Sequence, residues 1–416
     1  MALGRQVLCE FWGAQGLDDE ELARTALRRA VEAGGATLVR LEVHRFSPWG
    51  VSGVAVIAES HLALHTWPEH GYAAVDVFTC GDTDLDAMID VMLEAYRPAW
   101  TQRRTIERGV HPETETVTGE DGAAERADLD DRVWVFEERE PASPIRAVYP
   151  VRRLLEAVRT DYQTAAVFES PGLGRVLAID DIVQLTERDA FVYHELLAHP
   201  PLHAHPEPRT VAIVGGGDGH TLAEVLKHEV IEKVAVLELD RGIVELAKRH
   251  FEVAQEAFGN PRVELIIGDA FDTLADLDFR PDVILCDVPD PIGSAERLFG
   301  EDFYARCKDA LADGGMLSAQ TESAWWHAET LRACYEAIGR HFKEVSVTWG
   351  VVPSYPGAWW TFTIGSRRWE PWIVRREPEL ETRLYEPRYH SWFMMPRGLC
   401  ERLPGLMGTS PLAARR

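Results

Sequence analysis

The sequence predicts an α/β protein in which an N-terminal α+β sandwich is followed by a small β domain and a doubly wound, seven-stranded sheet. Three observations carry this. Apolar runs at 4–12, 36–46, 51–60, 61–67 and 72–81 read as strands and alternate with helical stretches at about 18–33 and 83–97. An acidic break covers 111–131. From residue 211 a regular order of strand, glycine turn, helix and strand begins, the pattern of a parallel sheet wound on both faces.

In the stretch 83–97, Leu85, Met88, Ile89, Met92, Leu93 and Tyr96 recur at helical spacing and give one apolar face to lay on a sheet. The break HPETETVTGEDGAAERADLDD sets eight acidic residues against one Arg and reads as a solvated linker that ties its flanks together without fixing their geometry. Residues 132–180 hold short strand-like pieces. Runs at 211–214, 234–239, 263–267, 282–286 and 315–319 read as buried parallel strands, followed by 345–351 and 359–365. The expected organisation is a first domain over 1–110, the linker 111–131, a small β domain over 132–180 and a Rossmann-like domain over 181–400. No internal repeat interrupts it.

Lys+Arg 43 against Asp+Glu 68 leaves a net charge of −25. A field of that sign repels phosphate backbones and attracts small cations, which argues against nucleic acid and for an amine substrate. No run approaches the ~20 apolar residues of a membrane helix, and the start MALGRQVLCEFW lacks a secretion signal, so a cytoplasmic protein without a membrane partner is expected. The six cysteines are dispersed without a CxxC pair and read as reduced thiols. His61, His65 and His70 form no ligand pattern with neighbouring Cys or Asp, and no metal is expected. Trp325-Trp326 and Trp359-Trp360 read as core packing or walls for an aliphatic chain.

After the strand VAIV comes Gly215-Gly216-Gly217-Asp218-Gly219, and Glu238 ends the next strand. Glycines such as Gly215 and Gly217 let the backbone turn tightly against a ligand, and an acid in Glu238's place can accept both ribose hydroxyls of a nucleoside. Asp218 inside the turn argues against a pyrophosphate and for a cationic ligand such as a sulfonium amino acid or its amine. Asp269 follows the third strand, placed to accept from an adenine amino group. The fourth strand ends in Asp287-Val288-Pro289-Asp290-Pro291.

The run TERDAFVYHELLAHPPLHAHPEPRTVAIVGGGDGHTLAEVLKHEVIEKVAVLELD, with DVILCDVPDPIGSAERLF, AQTES and VPSYPGAWWTFTIGS, resembles the spermidine synthase family of aminopropyltransferases over about 132–396. The resemblance implies a methyltransferase-like sheet and transfer of an aminopropyl group from decarboxylated S-adenosylmethionine to an amine. It makes Asp287 the base, assisted by Tyr193. It places Asp218, Glu238 and Asp269 on the donor with Gln163 and His194 nearby, and Asp290, Gln320 and Tyr355 along the amine pocket. Two departures stand out. Val288-Pro289 replace a hydroxyl-bearing pair, which leaves agmatine or a longer amine open beside putrescine. His220 stands where the family turn carries glycine, and reads as a substitution that a helix N-terminus tolerates at the surface.

The segment FSPWGVSGVAVIAESHLALHTWPEHGYAAVDVFTCG, with GRQVLCEFW before it, resembles the prokaryotic S-adenosylmethionine decarboxylases. That family pattern implies a pyruvoyl-dependent fold whose precursor cuts itself. The Ser60 hydroxyl attacks the Glu59 carbonyl, and the chain breaks to leave a pyruvoyl group on residue 60. His65 matches the residue that assists processing, Ser52 one that supports it, and Cys80 the proton donor in decarboxylation. The pyruvoyl carbonyl takes the substrate amine as a Schiff base and serves as electron sink. A decarboxylase for ornithine or arginine and a polyamine-binding pseudoenzyme remain as alternatives. The two resemblances fit one another, because the product of the first reaction is the donor of the second. Expected partners are S-adenosylmethionine, putrescine and a second copy of the chain, in a homodimer or larger assembly.

Overall fold

The computed structural model describes residues 3–108, 134–138, 146–357, 359–400 and 402. The linker expected at 111–131 lies outside the described residues. The chain divides into two compact units, Met1–Arg139 with Ala147–Ile182, and Glu140–Arg146 with Val183–Arg416.

In the first unit, β1 (Gly4–Trp12), β2 (Leu38–Arg45), β3 (Val51–Ile57), β4 (Ser60–Trp67), β5 (Tyr72–Thr79) and β6 (Trp100–Arg108) form one sheet in the order β2-β3-β4-β5-β1-β6. All its neighbours are antiparallel. Strict alternation along β1, β4 and β5 turns Val7, Cys9, Phe11, Leu62, Leu64, Val75 and Val77 onto one face, where they are buried. Helices α1 (Glu20–Ala33) and α2 (Leu85–Tyr96) cover that face through Leu27, Ala30, Met88, Ile89 and Met92. Both helices begin at an aspartate whose side chain accepts first-turn amides, Asp19 from Glu21 and Leu22, and Asp84 from Ala87. Each cap stabilises by about 1 kcal/mol. Among the described residues no helix covers the opposite face, and Val54, Val56 and Trp67 stay exposed on it.

The sequence reading missed β6, whose WTQRRTIER run is too polar to stand out. It pairs with β1 along the sheet edge and buries only Trp100 and Gln102.

Downstream, β7 (Trp134–Glu138) pairs with β8 (Ala147–Val151), and β9 (Arg153–Arg159), β10 (Thr164–Ser170) and β11 (Gly174–Ile179) form an antiparallel meander that continues into β12 (Ile182–Thr186). By contacts, β7 to β11 group with the N-terminal sheet in the first unit, and β12 from Val183 onward falls in the second. Trp100 stacks on Phe136 at 4.8 Å and 5° and meets Phe168 at 5.1 Å, while the Arg159 guanidinium donates to the carbonyls of Arg97 and Pro98.

The second unit is built on β13 (Thr210–Gly215), β14 (Lys233–Glu238), β15 (Val263–Ile267), β16 (Val283–Asp287), β17 (Met316–Ser323), β18 (Glu344–Val351) and β19 (Trp359–Ser366), in the order β15-β14-β13-β16-β17-β19-β18. The five strands from β15 to β17 are parallel, and β19 runs antiparallel to both β17 and β18. Helices α3 (Ala190–Ala204), α4 (His220–Leu226), α5 (Arg241–His250), α6 (Glu252–Phe258), α7 (Ala270–Thr273), α8 (Glu301–Ala310) and α9 (Ala328–His341) accompany the sheet. The order reverses between β13 and β16. Ligands of such sheets bind at that point, beyond the carboxyl ends of the strands.

Candidate active sites

In the first unit the chain turns at Ala58-Glu59, so that Ile57 of β3 pairs with Ser60 of β4. Ser60 has φ of +151°, a region that costs a residue with a side chain about 1–3 kcal/mol. Across the other edge Ser60 pairs with Thr79, and the next amide, that of Cys80, donates to the Glu59 carbonyl oxygen at 3.0 Å. Strain thus falls on the residue that follows the Glu59-Ser60 bond, and a main-chain donor polarises the carbonyl that precedes it. The Glu59 carboxylate accepts from the Thr37 amide at 3.1 Å.

Around this bond, Ser60 Oγ lies 3.2 Å from His61 Nδ1, and His61 Nε2 lies 4.0 Å from the Asp76 carboxylate. Gln6 Nε2 donates to both Asp76 oxygens at 3.0 Å. His65 is engaged elsewhere, its Nδ1 2.7 Å from the hydroxyl of Ser52 directly across β3 and β4. The Cys80 thiol is exposed.

In the second unit the glycine turn draws three strand ends together. A Cβ on Gly215 would collide with the Asp287 carbonyl, and one on Gly217 would come within 2.8 Å of Glu238 Oε2. Gly215, at φ +74°, permits an approach to main chain that a side chain would block, and a Cβ at Gly217 would force the Glu238 carboxylate to shift. Asp287 Oδ2 accepts from Thr221 Oγ1 at 2.6 Å, and its carboxylate also accepts from the Tyr193 hydroxyl. Burial, then the charge of Asp218, push the Asp287 carboxyl up, towards holding a proton. Burial would raise Asp218 too, but the hydrogen bond from His220 and the charges of His194 and His220 outweigh it and hold that carboxyl well below the usual range. Two neighbouring acids are driven apart, one towards taking a proton and one towards staying charged, which is how environments divide base and cation binder.

His194 donates from Nδ1 to the Ala190 carbonyl at 2.6 Å and turns Nε2 towards Asp218 Oδ1 at 3.7 Å. Glu238 accepts amides of Asp240, Gly217 and Leu239, yet burial pushes its carboxyl up to about 7. The Tyr193 ring meets Tyr355 and Phe362 edge-on at 6.1 and 5.0 Å, and the Tyr355 hydroxyl donates to the Gln184 carbonyl.

Comparison with known proteins decides the family. Residues 190–373 match the spermine/spermidine synthase domain, and 133–187 the spermidine synthase tetramerisation domain. The chain is 38% identical over 269 residues to polyamine aminopropyltransferase 1 of Aquifex aeolicus, covering 65% of this chain and 96% of that protein. It is 40% identical over 257 residues to the polyamine aminopropyltransferase of Desulforudis audaxviator, covering 61% and 94%. The chain belongs to the polyamine aminopropyltransferase family. Its first part adds a second enzyme, because residues 5–109 match S-adenosylmethionine decarboxylase. Among solved structures, spermidine synthase from Thermotoga maritima aligns with a TM-score of 0.60 at 31% identity, over 66% of this chain and 94% of that one. A spermidine synthase in complex with the transition-state analogue AdoDATO aligns at 0.62 and 33%, over 66% and 95%.

Several residues singled out from the sequence of the aminopropyltransferase portion carry contacts of their own. Asp269 caps α7 through the Phe271 amide at 2.9 Å, and its other oxygen pairs with Arg297 at 3.0 Å, so a purine amino group there must compete with a guanidinium. Gln320 is buried and fully used. Its Nε2 donates to the Val288 carbonyl at 3.0 Å and to Glu322 Oε1 at 3.2 Å, and its Oε1 accepts the Glu322 amide at 3.0 Å. It braces the Asp287 loop. Val288 is 7% exposed and packs with Cys286 and Phe303, whereas Pro289 is exposed and Asp290 half-buried. Gln163 lies in the first unit, in the turn from β9 to β10, bonded through its main chain to Thr160.

Sequence reasoning overlooked Thr221, His61 and Asp76. A hydroxyl two residues past the glycine turn, and an imidazole adjoining the Glu-Ser bond, were the signals available. It also misjudged His220, whose side chain is 13% exposed and hydrogen-bonded to Asp218 rather than lying at the surface. A further cluster has no linear signature. His199, His203 and His228, all buried, bring ring nitrogens within 4.8 Å of one another. His199 lies 3.0 Å from His228 and 3.1 Å from Glu224, and burial pushes His203 down to about 4. Buried imidazoles of this kind suit a core hydrogen-bond network and are also the ligand type a zinc ion takes.

Proposed function

We propose that the chain catalyses two consecutive reactions of polyamine synthesis. It decarboxylates S-adenosylmethionine through a pyruvoyl group made from Ser60, then moves the aminopropyl group of the product onto putrescine, giving spermidine and methylthioadenosine. The observation that carries the reading is the divided acid pair, Asp287 pushed towards a proton and Asp218 held ionised, at the switch point of a methyltransferase-like sheet.

An alkylammonium is no nucleophile until it loses a proton. Asp287, oriented by Thr221 and Tyr193, takes that proton. The freed nitrogen attacks the carbon beside the sulfonium in line with the leaving thioether. The C–N bond forms, the C–S bond breaks, and its electron pair stays on sulfur. Positioning does the rest. Asp218 holds the donor ammonium, Glu238 the ribose and Asp269 the purine, with His194 beside them. Asp290 takes the distal ammonium of the acceptor, and Tyr355 lines its chain.

At the first site, a strained residue 60 and the Cys80 amide on the Glu59 carbonyl fit the making of a pyruvoyl group. Ser60 Oγ, with His61 Nδ1 as proton acceptor, attacks the Glu59 carbonyl carbon, the Cys80 amide receives the developing oxyanion, and the C–N bond then breaks to leave an ester. Loss of the residue 60 α-proton expels the Glu59 α-carboxylate, and water replaces the nitrogen, released as ammonia, to leave the pyruvoyl carbonyl. Once formed, the pyruvoyl carbonyl supplies an electron sink for loss of carbon dioxide. The Cys80 thiol then returns a proton to the substrate carbon, and the Ser52-His65 pair stands on the same sheet face as His61 and Asp76. That face, with Val54, Val56 and Trp67 exposed, supports assembly as a homodimer or larger.

The test of the transfer step supplies decarboxylated S-adenosylmethionine and putrescine to the full-length protein. Equal amounts of spermidine and methylthioadenosine are expected from wild type and none from Asp287→Asn. Unchanged turnover in the variant would overturn the assignment of the base.

A further inference from the structure

His220 opens α4 directly after Gly219, and both its donors converge on one atom. Its main-chain amide lies 2.8 Å and its Nδ1 2.9 Å from Asp218 Oδ1. The ring is enclosed, with the His194 ring 5.3 Å away and Phe251 edge-on at 5.7 Å. This is a packed position in which the imidazole shares a carboxylate with whatever cation binds there.

We infer that His220 controls how strongly Asp218 holds the ammonium of the aminopropyl donor. Protonated, His220 neutralises Asp218 and competes with the ligand. Neutral, it still donates a hydrogen bond but leaves the full carboxylate charge to the ammonium. The inference rests on the reading of Asp218 as the donor's ammonium site. His220 acts through Asp218 and is a positioning residue.

The titratable groups facing this pair are Asp218 in the turn, Asp287 at the end of β16, His194 and Tyr193 on α3, and Tyr355 between β18 and β19. Burial works against the charged imidazole, but the bond to Asp218 and the charges of Asp218 and Asp287 prevail and move its titration upward. Asp218, held low, stays ionised throughout. Raising the pH through the titration of His220 therefore strengthens donor binding. By linkage, a bound ammonium expels the His220 proton.

Calorimetry on the full-length protein tests this with two probes that share a nucleoside. Decarboxylated S-adenosylmethionine carries the ammonium and methylthioadenosine does not. For the first, Kd should fall about tenfold between roughly pH 6 and pH 8.5, the change that a one-unit displacement of one titration produces, with proton release read from the dependence of heat on buffer. Methylthioadenosine should lack this added slope and proton release, keeping only what Glu238, titrating at about 7 on the ribose common to both probes, contributes. His220→Gln and His220→Gly should bring the donor's pH dependence and proton release down to those of methylthioadenosine. The same slope in both variants as in wild type, a slope lost only in His194→Gln, or an equal slope for methylthioadenosine would overturn the proposal. If methylthioadenosine binds and the donor does not, the ammonium site is wrong and the inference falls with it. If neither binds, it is the donor-site reading of the second unit that fails first.

Discussion

The main-chain amide of Cys80 donates to the carbonyl oxygen of Glu59 at 3.0 Å. One residue thereby has two separable parts, a backbone donor on the Glu59 carbonyl and an exposed thiol. On the proposed reading the backbone contact serves chain cleavage and the thiol the chemistry that follows.

Wild-type protein is accordingly expected as two fragments, cut between Glu59 and Ser60, and Ser60→Ala as one. Cys80→Ala keeps the amide and should still be cleaved, while losing release of carbon dioxide. His61→Ala should slow cleavage at least tenfold. Mass spectrometry of fresh and aged protein checks all three, and full-length wild-type chains with Ser60 unmodified would contradict the decarboxylase assignment.

The two activities should come apart. On the proposed reading Asp287→Asn removes the base for transfer and leaves the residues of the first site unchanged, so carbon dioxide release should persist without spermidine. Because burial and Asp218 push the Asp287 carboxyl up, transfer should fail as pH drops through that raised value, above the range where an ordinary carboxylate protonates. A plateau of transfer reaching down to about pH 4, the ordinary carboxylate range, would refute this.

Glu238 gives a stability prediction. Its carboxyl is pushed up to about 7 by burial, so the ligand-free folded state keeps a proton that the unfolded chain releases near its ordinary value. The folded state then binds more protons between those two points, and stability falls as pH rises through the window, by about 3 kcal/mol in all. Glu238→Gln should therefore gain Tm relative to wild type at pH 8 and lose that gain at pH 4.5. A difference independent of pH would show that the carboxyl is ionised normally.

Acceptor choice is expected to turn on Pro289 more than on Val288. Val288 packs in the core, so Val288→Ser buries a hydroxyl and should cost about 1–3 kcal/mol of stability without improving amine binding. Pro289 is exposed beside half-buried Asp290, and Pro289→Ser should lower KM for putrescine several-fold. Steady-state kinetics with putrescine, agmatine and spermidine decide it; higher kcat/KM for agmatine or spermidine in wild type would remove the putrescine assignment.

What could be read from the chain beforehand follows from what is local. Alternation along β1, β4 and β5, and the strand-turn-helix order from Val211, gave the sheets, because side-chain period and burial are properties of short segments. Gly215, Gly217, Asp218, Glu238 and Asp287 were legible for the same reason, since strand ends and their turns carry them. β6 escaped because an edge strand buries little and tolerates charges such as Arg103 and Arg104. The engagement of Gln320 by Val288 and Glu322, the pairing of Asp269 with Arg297, and the packing of His220 against Phe251 depend on how elements pack. Trp100 stacking on Phe136, 36 positions along the chain, is another such pairing. Spacing along a sequence does not encode such contacts.

The central claim, that one chain makes its own donor and then uses it, is met most directly by incubating purified full-length protein with carboxyl-labelled S-adenosylmethionine and putrescine, with no decarboxylated donor added. The account predicts labelled carbon dioxide together with spermidine and methylthioadenosine, and spermidine absent when Ser60→Ala replaces wild type. Carbon dioxide without a new amine, or spermidine formed as readily by Ser60→Ala, would contradict it.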